Sequence, residues 1–252
     1  MQPLKGKQAL VTGVGRRKGI GFAVCEALAK NGADVFFTYW HTYDSSLGFE
    51  GSQEDPMSFK EHFEQFGTHI ACTEVDLSQE ESPKELFLRA VHTFGHPHIL
   101  INNACYSTHQ NLASLDVLEL DAHYKINVRA TTLLCKYFYE AFDALEGHIV
   151  NLTSGQSLGV MEDELPYTIT KAAVDMLTLQ LAPEFLKKGI TINAFDPGPT
   201  DTGWMDESLK ETIGSTTPSH TLLTPKDASE SILSFIIGEQ KDVTGTIVHA
   251  KR

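Results

Sequence analysis

Cysteine is scarce in this chain of 252 residues: the four present, Cys25, Cys72, Cys105 and Cys135, stand far apart and include no C-x-x-C pair. That excludes a disulfide framework and points to a thiol-reduced, cytoplasmic setting. Long apolar runs are also lacking. Stretches such as QALV and HILI are of strand length, well short of the roughly 20 residues of a membrane helix. The opening MQPLKGK has no apolar signal region. Positive charge is in short supply, with 20 Lys and Arg against 33 Asp and Glu and a net charge of −13, which argues against nucleic acid or an anionic membrane face as a partner. The 11 histidines are scattered, and HPH at 96–98 lacks both a helical i, i+4 partner and nearby cysteines, so no metal site is expected.

What is present is a hydrophobic fraction of 41%, enough for one large α/β domain spanning 1–252. Short apolar runs alternate with longer helix-like segments, the signature of a parallel sheet wrapped by crossover helices. The runs predict strands at 8–11, 34–38, 69–74, 99–101, 148–152, 191–195 and 246–249. Helices are predicted at 20–31, 57–66, 83–94, 121–142, 167–188 and 225–238. NGAD at 31–34 and KKGI at 187–190 read as helix C-termini running into strands. The fold class is therefore α/β, a doubly wound Rossmann fold on one parallel sheet of seven strands.

Two segments fall outside this rhythm. Residues 41–56 (HTYDSSLGFEGSQEDP) are polar and read as a loop-like insertion. Residues 199–224 gather Pro, Gly, Thr and Ser around Trp204 and Met205 and form a candidate substrate lid, with those two side chains facing either a pocket or the core.

VTGVGRRKGIG at 11–21 is a glycine-rich turn after the first strand, holding Arg16, Arg17 and Lys18 in succession. No glycine in it is followed at Walker A spacing by Lys and then Ser or Thr. Nor is it a clean GxGxxG, because the third glycine arrives only at Gly19 and Gly21. Chemistry is more legible in mid-chain, where Ser154 ends the strand HIVNLTS and YTITK carries Tyr167 and Lys171. Tyr and Lys four apart on a helix share a face, so an ammonium can lower the pKa of a phenol and make it a usable proton donor and acceptor. On its own such a pair is equally a solvated lysine on an amphipathic helix.

Taken in series, these motifs resemble the short-chain dehydrogenase/reductase family along nearly the whole chain, in particular its 3-oxoacyl-carrier-protein reductase-like branch. TGVGRRKGIG resembles the family's TGxxxGxG loop, VDL at 75–77 its adenine-contacting Asp, NNAC at 102–105 its NNAG, and KINV at 125–128 its catalytic Asn. Ser154 stands 13 residues before Tyr167, as in the family, and NAFDPGPTDTGWM resembles its Pro-Gly segment. The resemblance implies a catalytic set of Asn127, Ser154, Tyr167 and Lys171. Tyr167 would exchange the proton, Ser154 hold the reacting oxygen, Lys171 lower the Tyr167 pKa and bind the nicotinamide ribose, and Asn127 hold a water linking Lys171 to solvent.

It also implies a dinucleotide site built from Gly13, Gly19 and Ile20 of the loop, Tyr39 and Trp40 after the second strand, Asp76 and Leu77, Asn103 and Ala104, and Pro197, Gly198, Thr200 and Thr202. Local alternatives are a strand-end cap for Asp76, a turn residue for Asn103, a backbone-bonded helix residue for Asn127 and a plain turn for Pro197 and Gly198. Thr12 reads as a structural tie between the loop and NNAC. Because Tyr39 stands where NAD-selecting folds carry a carboxylate, and three cations face that end, NADP(H) is preferred, with NAD(H) possible and Asp44 near enough to return to the ribose. The partners implied are a small carbonyl or alcohol substrate and a second copy of the chain, as homodimer or homotetramer. The sequence departs from the family pattern in its first loop, two residues longer, in Cys105 for the last glycine of NNAG, and in its tail TGTIVHAKR.

Overall fold

The computed structural model describes residues 2–48, 53–205, 207–216 and 222–250. Seven parallel strands form one sheet in the order β3-β2-β1-β4-β5-β6-β7. They are β1 (Gln8–Val11), β2 (Asp34–Tyr39), β3 (Ile70–Glu74), β4 (Ile99–Asn102), β5 (Gly147–Leu152), β6 (Ile190–Asp196) and β7 (Ile247–His249). The central strands are buried on both faces, so they read as continuous apolar runs without alternation.

Within a run, successive side chains still enter opposite layers. Ala9, Val11, Val35 and Phe37 face α1 (Ile20–Lys30), and α3 (Pro56–Glu64) and α9 (Pro225–Ser234) join that layer. Leu10, Phe36, Leu100 and Ile149 face the other layer, formed by α4 (Ser82–Phe94), α6 (Thr131–Ala141) and α7 (Leu165–Leu186). Phe59 and Phe63, one helical turn apart, pin α3 by full burial, each contributing about 1.5–3 kcal/mol.

The sequence-based elements are all present, with shifted ends and two additions. The insertion at 41–56 is not simply a loop: His41–Leu47 forms α2, ended by Gly48 in a left-handed conformation, and Asp55 caps α3 by accepting from the Met57 N–H. The lid segment likewise holds α8 (Glu207–Thr216). Residues 49–52, 206 and 217–221 of these two segments lie outside the described residues. The helix expected at 121–142 starts earlier, at α5 (Val117–His123), because Asp116 accepts from the N–H groups of Leu118 and Glu119. It then widens into a π-helical stretch, Tyr124–Ala130, before α6.

Candidate active site

All seven strands point their carboxyl ends the same way, and the order reverses between β1 and β4, where open α/β sheets bind ligands. A cavity of about 1100 Å³ lies there. The turn after β1 forms its floor. Gly13 has φ +76°, and a Cβ on it would lie 2.6 Å from Ala104 Cα, so only glycine lets the two backbones meet. Thr12 ties the same two segments: its hydroxyl accepts from the N–H groups of Asn103 (3.1 Å) and Ala104 (3.0 Å). Asn103 Nδ2 returns to Thr12 O (2.9 Å) and Gly13 O (2.8 Å). Gly19 opens α1 with no side chain capping the helix, and Gly19, Ile20 and Gly21 line the cavity there.

Most of the dinucleotide residues expected from the sequence line this cavity. Gly13, Arg16, Gly19 and Ile20 come from the loop, Tyr39 and Trp40 from the end of β2, and Leu77, Asn103 and Ala104 from the ends of β3 and β4. Pro197, Gly198, Thr200 and Thr202 line its far side. Three others do not. Arg17 is exposed, ion-paired to Glu54 at 3.8 Å and seated over the rings of Phe22 and Phe59 at 5.1 and 5.2 Å. Lys18 is exposed and outside the lining. Asp76 caps the turn after β3, accepting from Ser78 N and Gln79 Nε2, both at 2.8 Å. Of the three loop cations only Arg16 reaches the cavity, where its guanidinium donates to Thr202 O at 2.8 Å.

The reacting end is set by β5 and α7. Ser154, two residues past the end of β5, stands beside the Tyr167 phenol, and Tyr167 and Lys171 share one face of α7. Lys171 is buried and its ammonium donates to Leu152 O at 2.7 Å, 5.6 Å from the centre of the Tyr167 ring. Burial pushes the Tyr167 hydroxyl well above the usual tyrosine range, the neighbouring Cys105 adds to this, and the Ser154 hydrogen bond pulls it back. Cys105, in place of glycine, brings its half-buried thiol to the same corner; desolvation raises its pKa while the Lys171 ammonium lowers it.

Asn127 lies in the π-helical stretch, the kind of helical irregularity that often marks functional sites. Its side-chain amide is a bridge: Oδ1 accepts from Tyr106 N (2.8 Å), and Nδ2 donates to Tyr106 O (2.9 Å) and Thr170 Oγ1 (3.0 Å). It thus joins the segment after β4 to α7 and does not line the cavity, where its neighbour Ile126 does.

Several lining residues had no signal in the sequence. Ser107, Thr108 and His109 follow NNAC, and Val160, Met161, Glu162 and Glu164 follow Ser154; the two loops meet where Gln110 N donates to Asp163 O (2.6 Å) and Leu165 N to Gln110 O (2.9 Å). Trp204 lines the cavity whereas Met205 is buried, so the lid's apolar pair divides between the pocket and the core. Tyr43, Asp44 and Leu47 of α2 roof the end near β2.

Comparison with known proteins agrees with this architecture. A family model described as enoyl-(acyl carrier protein) reductase matches residues 13–251. An uncharacterized oxidoreductase of Bacillus subtilis, YjdA, is 35% identical over 97% of this chain and 95% of its own length. Glucose and ribitol dehydrogenase homolog 2 of Arabidopsis thaliana is 30% identical, over 98% of this chain and 84% of its own. A short-chain dehydrogenase of Burkholderia cenocepacia, solved in complex with NADP, superposes with a TM-score of 0.86 at 28% identity, covering 99% of this chain and 98% of that one. The chain belongs to the short-chain dehydrogenase/reductase family and is an oxidoreductase of that class.

Proposed function

We propose that the protein transfers hydride between NADP(H) and a small carbonyl or secondary alcohol, with Tyr167 as the proton donor and acceptor. The observation that carries this reading is the Ser154, Tyr167 and Lys171 cluster lining a cavity of about 1100 Å³ that also takes in the glycine-rich loop and the ends of β2 and β4. The uncapped start of α1 at Gly19 and the close approach of Gly13 to Ala104 fit a pyrophosphate, which helix N–H groups and a bare backbone turn would hold. The bound dinucleotide would supply the hydride.

The chain's own residues then manage one proton and one oxygen. Tyr167, held protonated by burial, would donate to the carbonyl oxygen in reduction, and Ser154 would orient that oxygen. Lys171 would reach the nicotinamide ribose, and Asn127 would act by fixing the 105–106 backbone against α7.

For the cofactor, Arg16 in the lining and the absence of a carboxylate at the end of β2 support NADP(H) over NAD(H), and the Burkholderia relative was solved with NADP. An enoyl reductase, the description carried by the matching family model, is the second reading. The three residues between Tyr167 and Lys171 favour carbonyl chemistry, since enoyl reductases of this family tend to have six. A silent dinucleotide sensor is disfavoured by the presence of the whole catalytic set. Exposed Tyr124, Ile169 and Met176, on the neighbouring π-helical stretch and α7, support assembly into a homodimer or homotetramer, and the four free cysteines support a cytoplasmic setting. NADPH oxidation against a panel of ketones, aldehydes, quinones and enoyl thioesters tests the reading. Ketone or aldehyde turnover supports it, enoyl turnover alone favours the second reading, and NADPH binding with no turnover contradicts both.

A further inference from the structure

The roof over the β2 end of the cavity is held in place from three sides. Tyr43 of α2 stacks on Trp40 with ring centres 5.7 Å apart and packs against Tyr106 at 5.2 Å. Its hydroxyl accepts from Ser107 N at 3.0 Å across the cavity. The next residue, Asp44, lays its carboxylate against the glycine-rich loop: a Cβ on Gly15 would collide with it, so the bare backbone at Gly15 is what makes room.

Asp44 and Arg16 both line the cavity, and each lies within electrostatic reach of the other. Burial weakens the Arg16 guanidinium as a cation, and Asp44 offsets that; burial raises the Asp44 carboxyl, and Arg16 offsets that. Arg16 is also tethered to the lid segment through Thr202 O. With Arg17 committed to Glu54 and its aromatic seat and Lys18 outside the lining, Arg16 is the loop cation that lines this end.

We propose that Asp44 is a specificity-determining residue that competes with the cofactor's 2′-phosphate for Arg16 and holds the preference for NADP(H) below what Arg16 alone would give. The inference rests on the reading that Arg16 faces the 2′-phosphate. A phosphate entering beside Arg16 must either displace the Asp44 carboxylate or share the cation with it, and the like charges repel. A plain ribose hydroxyl suffers no such repulsion and can donate to Asp44. The carboxylate that dinucleotide folds carry at the end of the second strand is absent here, and a residue one helical turn into α2 takes up the discrimination.

The test uses fragments that carry only the adenosine end, 2′,5′-ADP and 5′-AMP, with dissociation constants measured by calorimetry on the full chain. Asp44→Asn removes the charge and keeps the shape. It should tighten 2′,5′-ADP by about five- to tenfold and leave 5′-AMP unchanged or weaker. Asp44→Ser should shift the ratio in the same direction. In an Arg16→Ala background the gain from Asp44→Asn should shrink to what relief of the direct repulsion between phosphate and carboxylate leaves. An unchanged or reversed ratio in both Asp44 variants, or parallel weakening of both fragments, would overturn the proposal. If Arg16→Ala alone leaves 2′,5′-ADP binding intact, the underlying NADP(H) reading fails first, and the two failures are thereby told apart.

Discussion

Lys171 donates to Leu152 O at 2.7 Å while standing 5.6 Å from the ring centre of Tyr167. The Lys171 ammonium is thus anchored on the last residue of β5, just before the segment that presents Ser154. Burial of Tyr167 keeps the phenol protonated, and Ser154 is the neighbour that draws its pKa down.

Ser154→Ala is therefore expected to act twice. It removes a hydrogen-bond donor to the reacting oxygen, lowering kcat by about 10²-fold or more. It also removes the bond that lowers the Tyr167 pKa, so the rise of alcohol oxidation with pH should move to more alkaline values. A pH profile of the variant checks this; a shift toward acid would reverse the assigned role of Ser154.

The three loop cations should separate by function. Arg16→Ala should weaken NADPH binding about tenfold while leaving NADH binding within about twofold. Arg17→Ala should leave NADPH binding nearly unchanged but lower the melting temperature, because it loses two ring contacts of about 0.5–1 kcal/mol each at a partly exposed site. Titration of NADPH fluorescence and thermal denaturation on the same variants give the answer, and a larger binding loss in Arg17→Ala than in Arg16→Ala would refute the assignment.

Acid should destabilise the fold through its buried histidines. His123 is fully buried, with Nε2 accepting from Thr108 N at 3.3 Å, so the proton sits on Nδ1, which donates to Glu119 O at 2.8 Å. His148 is buried beside Thr191, and burial lowers the pKa of both rings. A lowered folded pKa means that the unfolded chain binds the proton more readily. Stability is complete above the unfolded value of about 6.5 and is lost as pH falls below it. Urea midpoints should drop from pH 7 to pH 5, and His123→Gln should flatten that slope while lowering stability at pH 7.

Met176→Glu, placing a charge within the exposed apolar row on α7, should reduce the assembly state with little effect on monomer stability, because the side chain is 54% exposed. Light scattering coupled to size exclusion reads the outcome, and a wild-type mass would place the interface elsewhere.

The sheet was readable because doubly buried strands such as ILIN and GHIVNL are short apolar runs between helical periods. The clustering of Ser154, Tyr167 and Lys171 at the cavity was readable because their spacing lies within one strand end and one helix. What escaped sequence reading depends on the meeting of distant segments. HTYDSSL is polar and short of apolar periodicity, so α2 looked like loop; it exists because Tyr43 packs between Trp40 and Tyr106. Arg16, Arg17 and Lys18 are equivalent as letters, and only Glu54, Phe22 and Phe59 draw Arg17 away from the cavity. Asn127 kept its place, but its amide bonds Tyr106 and Thr170, which no local pattern specifies.

The central claim is that the Tyr167 hydroxyl carries the proton, and Tyr167→Phe tests it with the loss of one oxygen. NADPH consumption with the best carbonyl substrate should fall by about 10²–10⁴-fold while the NADPH dissociation constant stays within about twofold. Turnover at the wild-type rate, with NADPH still bound, would contradict the account.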